Sequence, residues 1–376
     1  MKRRSLIQFA AACTGSIVAN QILASCGASN QTEMMATPSP WQMPDESETH
    51  ERTWMAFGAS RAIWGRRLLP IVQDNLAAIA TTIAEYEPVS MLVREADYDL
   101  AARKCGSSVN LITCPLDDFW LRDTGPVFVK NSDATLGGVD FNFNGWGEKQ
   151  EYDRDAEVAQ FVIDRVGCQT LSTSLVLEGG GIEVDGRGTA IITESSVLNP
   201  NRNPGVSKAE CEAQLKALLG LRKIIWLPGV RGADITDAHV DFYARFVSPG
   251  VVVAADETDA NLLDYEITKE NLEILSSETD ADGNELEVIV IENPQTIRPT
   301  SDTDEFAAGY INFYVINGAV LVPEFGDRVA DSKAKGVLQD LYPQRDIIQL
   351  NIDAIATGGG GIHCTTQQQP QSQLKS

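Results

Sequence analysis

Tyr310-Ile311-Asn312-Phe313-Tyr314-Val315-Ile316-Asn317-Gly318-Ala319-Val320-Leu321-Val322 is the stretch on which the fold turns. β-Branched and aromatic residues flank Asn317-Gly318, a pair suited to the positive φ that tight hairpin turns require. The pattern predicts strands over 310–316 and 319–322, then a helix over 328–342 stopped by Pro343, which cannot continue helical hydrogen bonding. Val184-Asp185-Gly186-Arg187-Gly188 carries a similar turn signature. Hairpins imply much antiparallel pairing, so a purely doubly wound parallel sheet is excluded. Working outward, β-rich runs fall at 89–93, 127–129, 139–143, 189–193, 224–227, 242–247, 251–254 and 288–291. Helical patterns fall at 68–86, 156–166, 208–219 and 259–275. The class is α/β. No fixed-period repeat and no linker-like break interrupts the chain from about Trp41 to Gln369, which argues for one catalytic domain.

The 376 residues are 43% hydrophobic and 22% charged, a globular composition that excludes a disordered, collagen-like or coiled-coil chain. A formal charge of −23 repels nucleic acid and attracts small cations. Lys2-Arg3-Arg4 leads into an apolar stretch over 6–24, the order of an export signal, with the adjacent arginines resembling a twin-arginine type. Leu23-Ala24-Ser25-Cys26 resembles a lipobox, which makes Cys26 a lipid-anchored first residue of an exported, membrane-tethered protein; the alternative is a signal cleaved without lipidation. The expected organisation is a signal over 1–25, a flexible tether over 26–45, the catalytic domain over 46–370 and a tail over 371–376.

Beyond the signal and Cys26, the cysteines are Cys105, Cys114, Cys168, Cys211 and Cys364, an odd set without a CxxC pair. The only histidines are His50, His239 and His363, too few for a multi-histidine metal centre.

Four clusters carry chemistry. Asp117-Asp118-Phe119-Trp120-Leu121-Arg122-Asp123 combines carboxylates with an indole, suited to a planar cation, or else forms a turn with an internal Arg–Asp pair. Leu177-Glu178-Gly179-Gly180-Gly181 sets a carboxylate beside backbone that a ligand can approach closely, although a bulge would use such glycines too. Asp237-Ala238-His239-Val240-Asp241 enters the strand at 242–247, and period-two geometry would send His239 and Asp241 to one side. Gly358-Gly359-Gly360-Gly361-Ile362-His363-Cys364 presents a thiol beside an imidazole on a glycine run. That combination suits an activated nucleophile better than a structural cysteine.

Together with Thr365-Thr366-Gln367-Gln368, Asn199-Pro200-Asn201-Arg202-Asn203 and Tyr310-Ile311-Asn312-Phe313, these motifs resemble the agmatine deiminase family, which includes bacterial peptidylarginine deiminases. The resemblance runs from about Trp54 to Pro370. It implies the five-bladed α/β propeller (pentein) of ββαβ units and hydrolysis of a guanidinium group to a ureido group plus ammonia. By the same resemblance Cys364 is the nucleophile and His239 the general acid/base. It also implies that Asp123 and Asp241 bind the guanidinium and that Glu178 supports His239 or the substrate. The residues themselves place Trp120 against the cation, and His363 reads as structural because sequence neighbours often point apart. No cofactor or metal is implied. The substrate expected is agmatine, with peptidyl-arginine as the alternative; a non-catalytic polyamine-binding lipoprotein is a third reading, and oligomeric state is left open. The sequence departs from the family in carrying Ala238 where Gly is usual, Gly361 where Asn is usual, and Phe57-Gly58 in place of Trp-Pro.

Overall fold

The structure is a computed structural model that describes residues 40–299 and 306–372. The export signal, Cys26 and most of the expected tether lie outside the described residues. Among the described residues no helix is long and apolar enough to cross a membrane.

Five small sheets, rather than one, build the molecule. Each repeats one plan: a first strand pairs antiparallel with a second, and a helix returns the chain to a third strand parallel to the second. The plan appears as Val127–Asn131, Leu136–Asp140 and Gln169–Ser172 around helix Val158–Val166. It recurs as Ile182–Val184, Thr189–Thr193 and Lys223–Leu227 around Lys208–Leu219. The third and fourth units are Ala244–Ser248, Val251–Asp256 and Glu287–Glu292, then Tyr314–Ile316, Ala319–Glu324 and Asp346–Asn351. The fifth joins the chain ends: Thr366–Pro370 pairs antiparallel with His50–Phe57, which continues in parallel to Val89–Val93 and Val109–Thr113. This is the five-bladed α/β architecture of ββαβ units, with closure made by the C-terminal strand.

Local sequence explains the crossovers. Ser207 and Glu210 form a reciprocal capping box at the start of Lys208–Leu219, and left-handed Gly220 ends it. A Cβ on Gly220 would stand 2.3 Å from the Trp41 carbonyl oxygen, so glycine is required there twice over. The helix Arg61–Ile83 is broken at Gly65 (φ 63°), which places Pro70 near the start of its longer segment. That segment buries Val72, Leu76, Ile79 and Ile83, each contributing roughly 1.5–3 kcal/mol by leaving water, and Ala80, contributing less.

Several expected bounds shift. The tether does not reach residue 45: Trp41–Gln42 pairs with Val127–Asn131, and the Met43 amide donates to the Leu219 carbonyl at 2.9 Å. Pro40 and Pro44 flank that two-residue strand without entering it, so neither removes a hydrogen bond from its pairing. The strand read at 139–143 is Leu136–Asp140, and that read at 310–316 shrinks to Tyr314–Ile316. The segment 242–247 begins as a 3-10 turn, Val240–Phe242, before the strand Ala244–Ser248. Thr366–Pro370 shows no apolar alternation because both its faces are buried among polar partners, so its sequence hides it.

Candidate active site

Every unit enters its first strand through a short turn, and these turns converge. Leu121–Thr124 carries Asp123, Glu178 immediately precedes Gly179–Gly181, His239 and Asp241 bracket the entry to Val240–Phe242, and His363–Thr365 carries Cys364. The turn before Tyr314–Ile316 supplies Asn312. All six side chains are buried. Fivefold topology thus gathers residues separated by as much as 241 positions, which no local pattern could align.

Gly180 is where they meet. A Cβ there would stand 2.7 Å from His239 Nδ1, 2.8 Å from Asp123 Oδ1 and 3.2 Å from Asp241 Oδ2. Its own amide donates to Asp123 Oδ1 at 3.0 Å, and Trp146 Nε1 donates to Asp123 Oδ2 at 3.0 Å. On the far side, His239 Nε2 lies 3.1 Å from Glu178 Oε2, and Arg202 Nε donates to Glu178 Oε1 at 2.7 Å. Arg202 also binds Asp237 at 2.7 Å, fixing the loop before His239. Cys364 Sγ accepts from Asn312 Nδ2 at 3.2 Å and lies 3.4 Å from Asp241 Oδ2. His239 Nδ1 and Asp241 Oδ1 are buried without a hydrogen-bond partner, although each has the capacity for one. His239 Nδ1 does lie 3.7 Å from Asp123 Oδ1, an ion-pair contact when the ring is protonated.

We expect Gly180→Ala to lower kcat/KM by about 100-fold, the scale of a 1 Å misplacement of reacting groups. Steady-state rates check this; a loss under threefold would mean that the three side chains do not converge as described.

Burial would lower the His239 pKa, but Asp123, Glu178 and Asp241 overcome it and push it up to about 9. Burial raises Asp123 to about 6 despite His239 beside it, with Asp241 and Glu178 adding repulsion. Glu178 and Asp241 are likewise penalised by burial, yet both end below the ordinary carboxylate range, held by Arg202 and by the His363 hydrogen bond respectively. Burial, then Asp241 and Asp123, drives the Cys364 thiol well up. The ligand-free site therefore disfavours the thiolate.

A cavity of about 570 Å³ opens above the site, walled by Trp64, Trp120, Trp146, Asp118 and the loop from Thr357 to Gly360, with Asp123 and Cys364 at its surface. Asp118 accepts from the indoles of Trp64 (3.0 Å) and Trp120 (3.1 Å). A Cβ on Gly358 or Gly360 would come within 2.2 Å of those rings, so this glycine run lets backbone lie against the indoles.

The sequence readings fare unevenly. Cys364, His239, Asp123, Asp241 and Glu178 come together, and Trp120 lines the cavity. His239 and Asp241 do so through a turn rather than by alternation along a strand. Arg122 does not pair with Asp123; it reaches Glu46 at 3.1 Å and Gln368 at 2.8 Å, while Asp117 accepts from the Arg154 amide. His363 lies between Asp241 and Glu46. Glu46 and Trp146 were not among the sequence-predicted site residues, and Asn312 and Arg202 stood in the family-like segments without an assigned role. Trp146 sits between two glycines in a run of four successive left-handed positions, Gly145 to Glu148 (φ 67°, 56°, 84° and 62°), a strained turn whose glycine flanks were the available signal. Ala238 holds φ 70° where the family favours Gly, and burial of its methyl, worth roughly 0.8 kcal/mol, offsets much of the strain. Gly361 leaves room for Asn312, whose Oδ1 would lie 2.3 Å from a Cβ there.

Residues 42–370 match the family model described as Porphyromonas-type peptidyl-arginine deiminase. An agmatine deiminase of Ectopseudomonas mendocina is 36% identical over 367 residues, covering 91% of this chain and 99% of that one. The structure of an agmatine deiminase of Enterococcus faecalis superposes with a TM-score of 0.84 at 31% identity, covering 90% of this chain and 99% of that chain. A dimethylarginine dimethylaminohydrolase structure, at 13% identity and a TM-score of 0.50 over 85% of this chain and 100% of that one, shares the fold alone. With matches spanning the domain from its first strand to its last, this chain belongs to the Porphyromonas-type peptidyl-arginine deiminase family and is an agmatine deiminase-like hydrolase of a guanidino C–N bond.

Proposed function

We propose that the enzyme converts agmatine to N-carbamoylputrescine and ammonia through a covalent intermediate on Cys364. The observation that carries this is the convergence of His239 Nδ1, Asp123 Oδ1 and Asp241 Oδ2 about Gly180, with the Cys364 thiol 3.4 Å from Asp241 Oδ2. A guanidinium held by Asp123 and Asp241 is fixed in line with Sγ, and its positive charge cancels the two carboxylates that suppress the thiolate. Attack by sulfur on the guanidinium carbon gives a tetrahedral adduct. His239, protonated at neutral pH, gives its proton to the departing ammonia, then as a neutral base takes one from the water that cleaves the thiouronium. Glu178 and Arg202 orient the ring throughout.

The cavity wall favours a cationic tail over a carboxylate. Asp118, Asp123 and Asp234 line it, and among the described lining residues the cation is Lys149, whose ammonium is engaged by Asp237 at 2.7 Å and the Ile235 carbonyl at 3.0 Å. The breadth of the opening supports peptidyl-arginine as the second reading, since a small diamine would leave much of 570 Å³ empty. Ammonia release from agmatine against a panel of arginine peptides tests the choice. Agmatine should exceed every peptide in kcat/KM, and the reverse ranking would replace this reading with the second.

Because the His239 pKa is raised, the acid form is complete at neutral pH and is lost as pH climbs past about 9. We therefore expect kcat/KM, which reports the free enzyme, to fall about tenfold per unit above that pH. A profile still flat at pH 10 would remove His239 as the acid. For location, we propose export and lipid anchoring at Cys26, tested by lipid labelling of wild type against Cys26→Ala; an unlabelled wild-type chain overturns it.

A further inference from the structure

The proposed chemistry leaves one proton unassigned. Cys364 must lose its thiol proton before attack, and His239 cannot take it while already holding the proton destined for ammonia. The only carboxylate oxygen in hydrogen-bond contact with Sγ among the described residues is Asp241 Oδ2, at 3.4 Å. That same oxygen lies 2.8 Å from His363 Nδ1, and His363 Nε2 lies 2.9 Å from Glu46 Oε2. We propose that His363 receives the thiol proton of Cys364 by way of Asp241, with Glu46 bracing the far side of the ring.

The geometry of the imidazole makes the case. A neutral ring has one N–H, yet both nitrogens of His363 face carboxylate oxygens at hydrogen-bond distance. The Asp241–His363–Glu46 chain therefore has a place for one further proton. His363 is enclosed by Asp241, Glu46, Arg122 and Arg245, with the Tyr314 ring centroid 6.4 Å away. Burial and the two guanidiniums favour the neutral ring in the free enzyme, whereas His239 is pushed the other way. Two histidines driven apart in this manner suit one acid and one base.

The step balances. The S–H bond breaks, Asp241 Oδ2 takes the proton and passes it to Nδ1, and thiol plus neutral imidazole become thiolate plus imidazolium. Asp241 and Glu46 end ionised as they began, and Asp241 Oδ1 stays available to the guanidinium. When water cleaves the thiouronium, the leaving sulfur recovers its proton by the same route. Glu46 is well placed as the brace: it also accepts from Arg245 at 2.9 Å, Arg122 at 3.1 Å and the Val315 amide at 2.8 Å. The segment before the first long strand thus reaches the reaction.

The inference rests on the covalent reading, and quench-flow mass spectrometry of the Cys364 peptide separates the two. Absence of any adduct in wild type would sink the covalent reading itself. Given an adduct, its formation rate in wild type should be nearly flat from pH 6.5 to 8.5. In His363→Gln it should be about 100-fold slower at pH 7 and rise about tenfold per pH unit, because the proton must then leave to solvent. Glu46→Gln should fall between, about tenfold slower. A His363→Gln rate that is slow but flat would reduce His363 to a structural part and overturn the proposal, as would a rate within threefold of wild type. Should that variant not fold, 15N imidazole spectra of wild type decide, the chain having three histidines. His363 should be neutral alone and doubly protonated under saturating agmatine, and a ring that stays neutral overturns the proposal.

Discussion

Cys364→Ser should abolish turnover while leaving the fold intact. The hydroxyl occupies nearly the volume of the thiol, and Asn312 can still donate to it, so packing around His363–Thr365 has no reason to change. Reactivity is another matter. Even the thiol is driven well above its ordinary pKa by burial and by Asp241 and Asp123, and only a bound cation relieves that repulsion. An alcohol starts several units higher, beyond what one guanidinium can offset. A loss of at least about 1,000-fold in kcat is expected, with wild-type thermal unfolding and no adduct on the corresponding peptide. A serine variant keeping more than a tenth of the rate would end the covalent mechanism.

Asp123→Asn should lower kcat/KM by hundreds- to several-thousand-fold, the equivalent of about 3–5 kcal/mol for removing one partner of a buried ion pair. Two effects combine. Both Asp123 oxygens accept protein N–H groups, from Gly180 and Trp146, so the amide must turn its own N–H donors against one of them. The cationic substrate also loses one of its two proposed counter-charges. A second signature follows from His239: Asp123 is the strongest of the charges raising that histidine, so the variant's basic limb should move below pH 9. A penalty under tenfold, with an unmoved basic limb, would take Asp123 out of the guanidinium site.

The ring arrangement clarifies why the family chemistry sits on entry turns. In each unit the first strand is antiparallel to the second, and the short turn feeding it is free of ladder hydrogen bonds. Its backbone can therefore take the irregular conformations that aim side chains, as at Asp237 (φ 62°) and Ala238 (φ 70°) before His239. The strands behind fix those turns in place, so the site is assembled on rigid supports with little to reorganise when substrate arrives.

What the sequence determined by itself was local. The Asn317-Gly318 hairpin, the Ser207–Glu210 capping box and the α/β alternation depend on neighbours a few positions apart, and there the backbone follows the residue types. The ordered motifs likewise brought Cys364, His239, Asp123, Asp241, Glu178 and Trp120 to notice, because reactive side chains beside glycines are uncommon and their order is specific. Tertiary structure decided the rest. Thr366–Pro370 became a strand because His50–Phe57 offered its edge, although five polar or ring-locked residues carry no β pattern. Glu46, expected only as the first residue of the catalytic domain, reaches its buried centre because Arg122, Arg245 and His363 surround it with positive charge and donors, a compensation invisible from Met43-Pro44-Asp45. His363, one residue from the nucleophile, acquired its meaning only from a carboxylate 122 positions away and another 317 positions away. A lone imidazole has no assigned proton until its two partners are known, and the fold alone brings those partners to it.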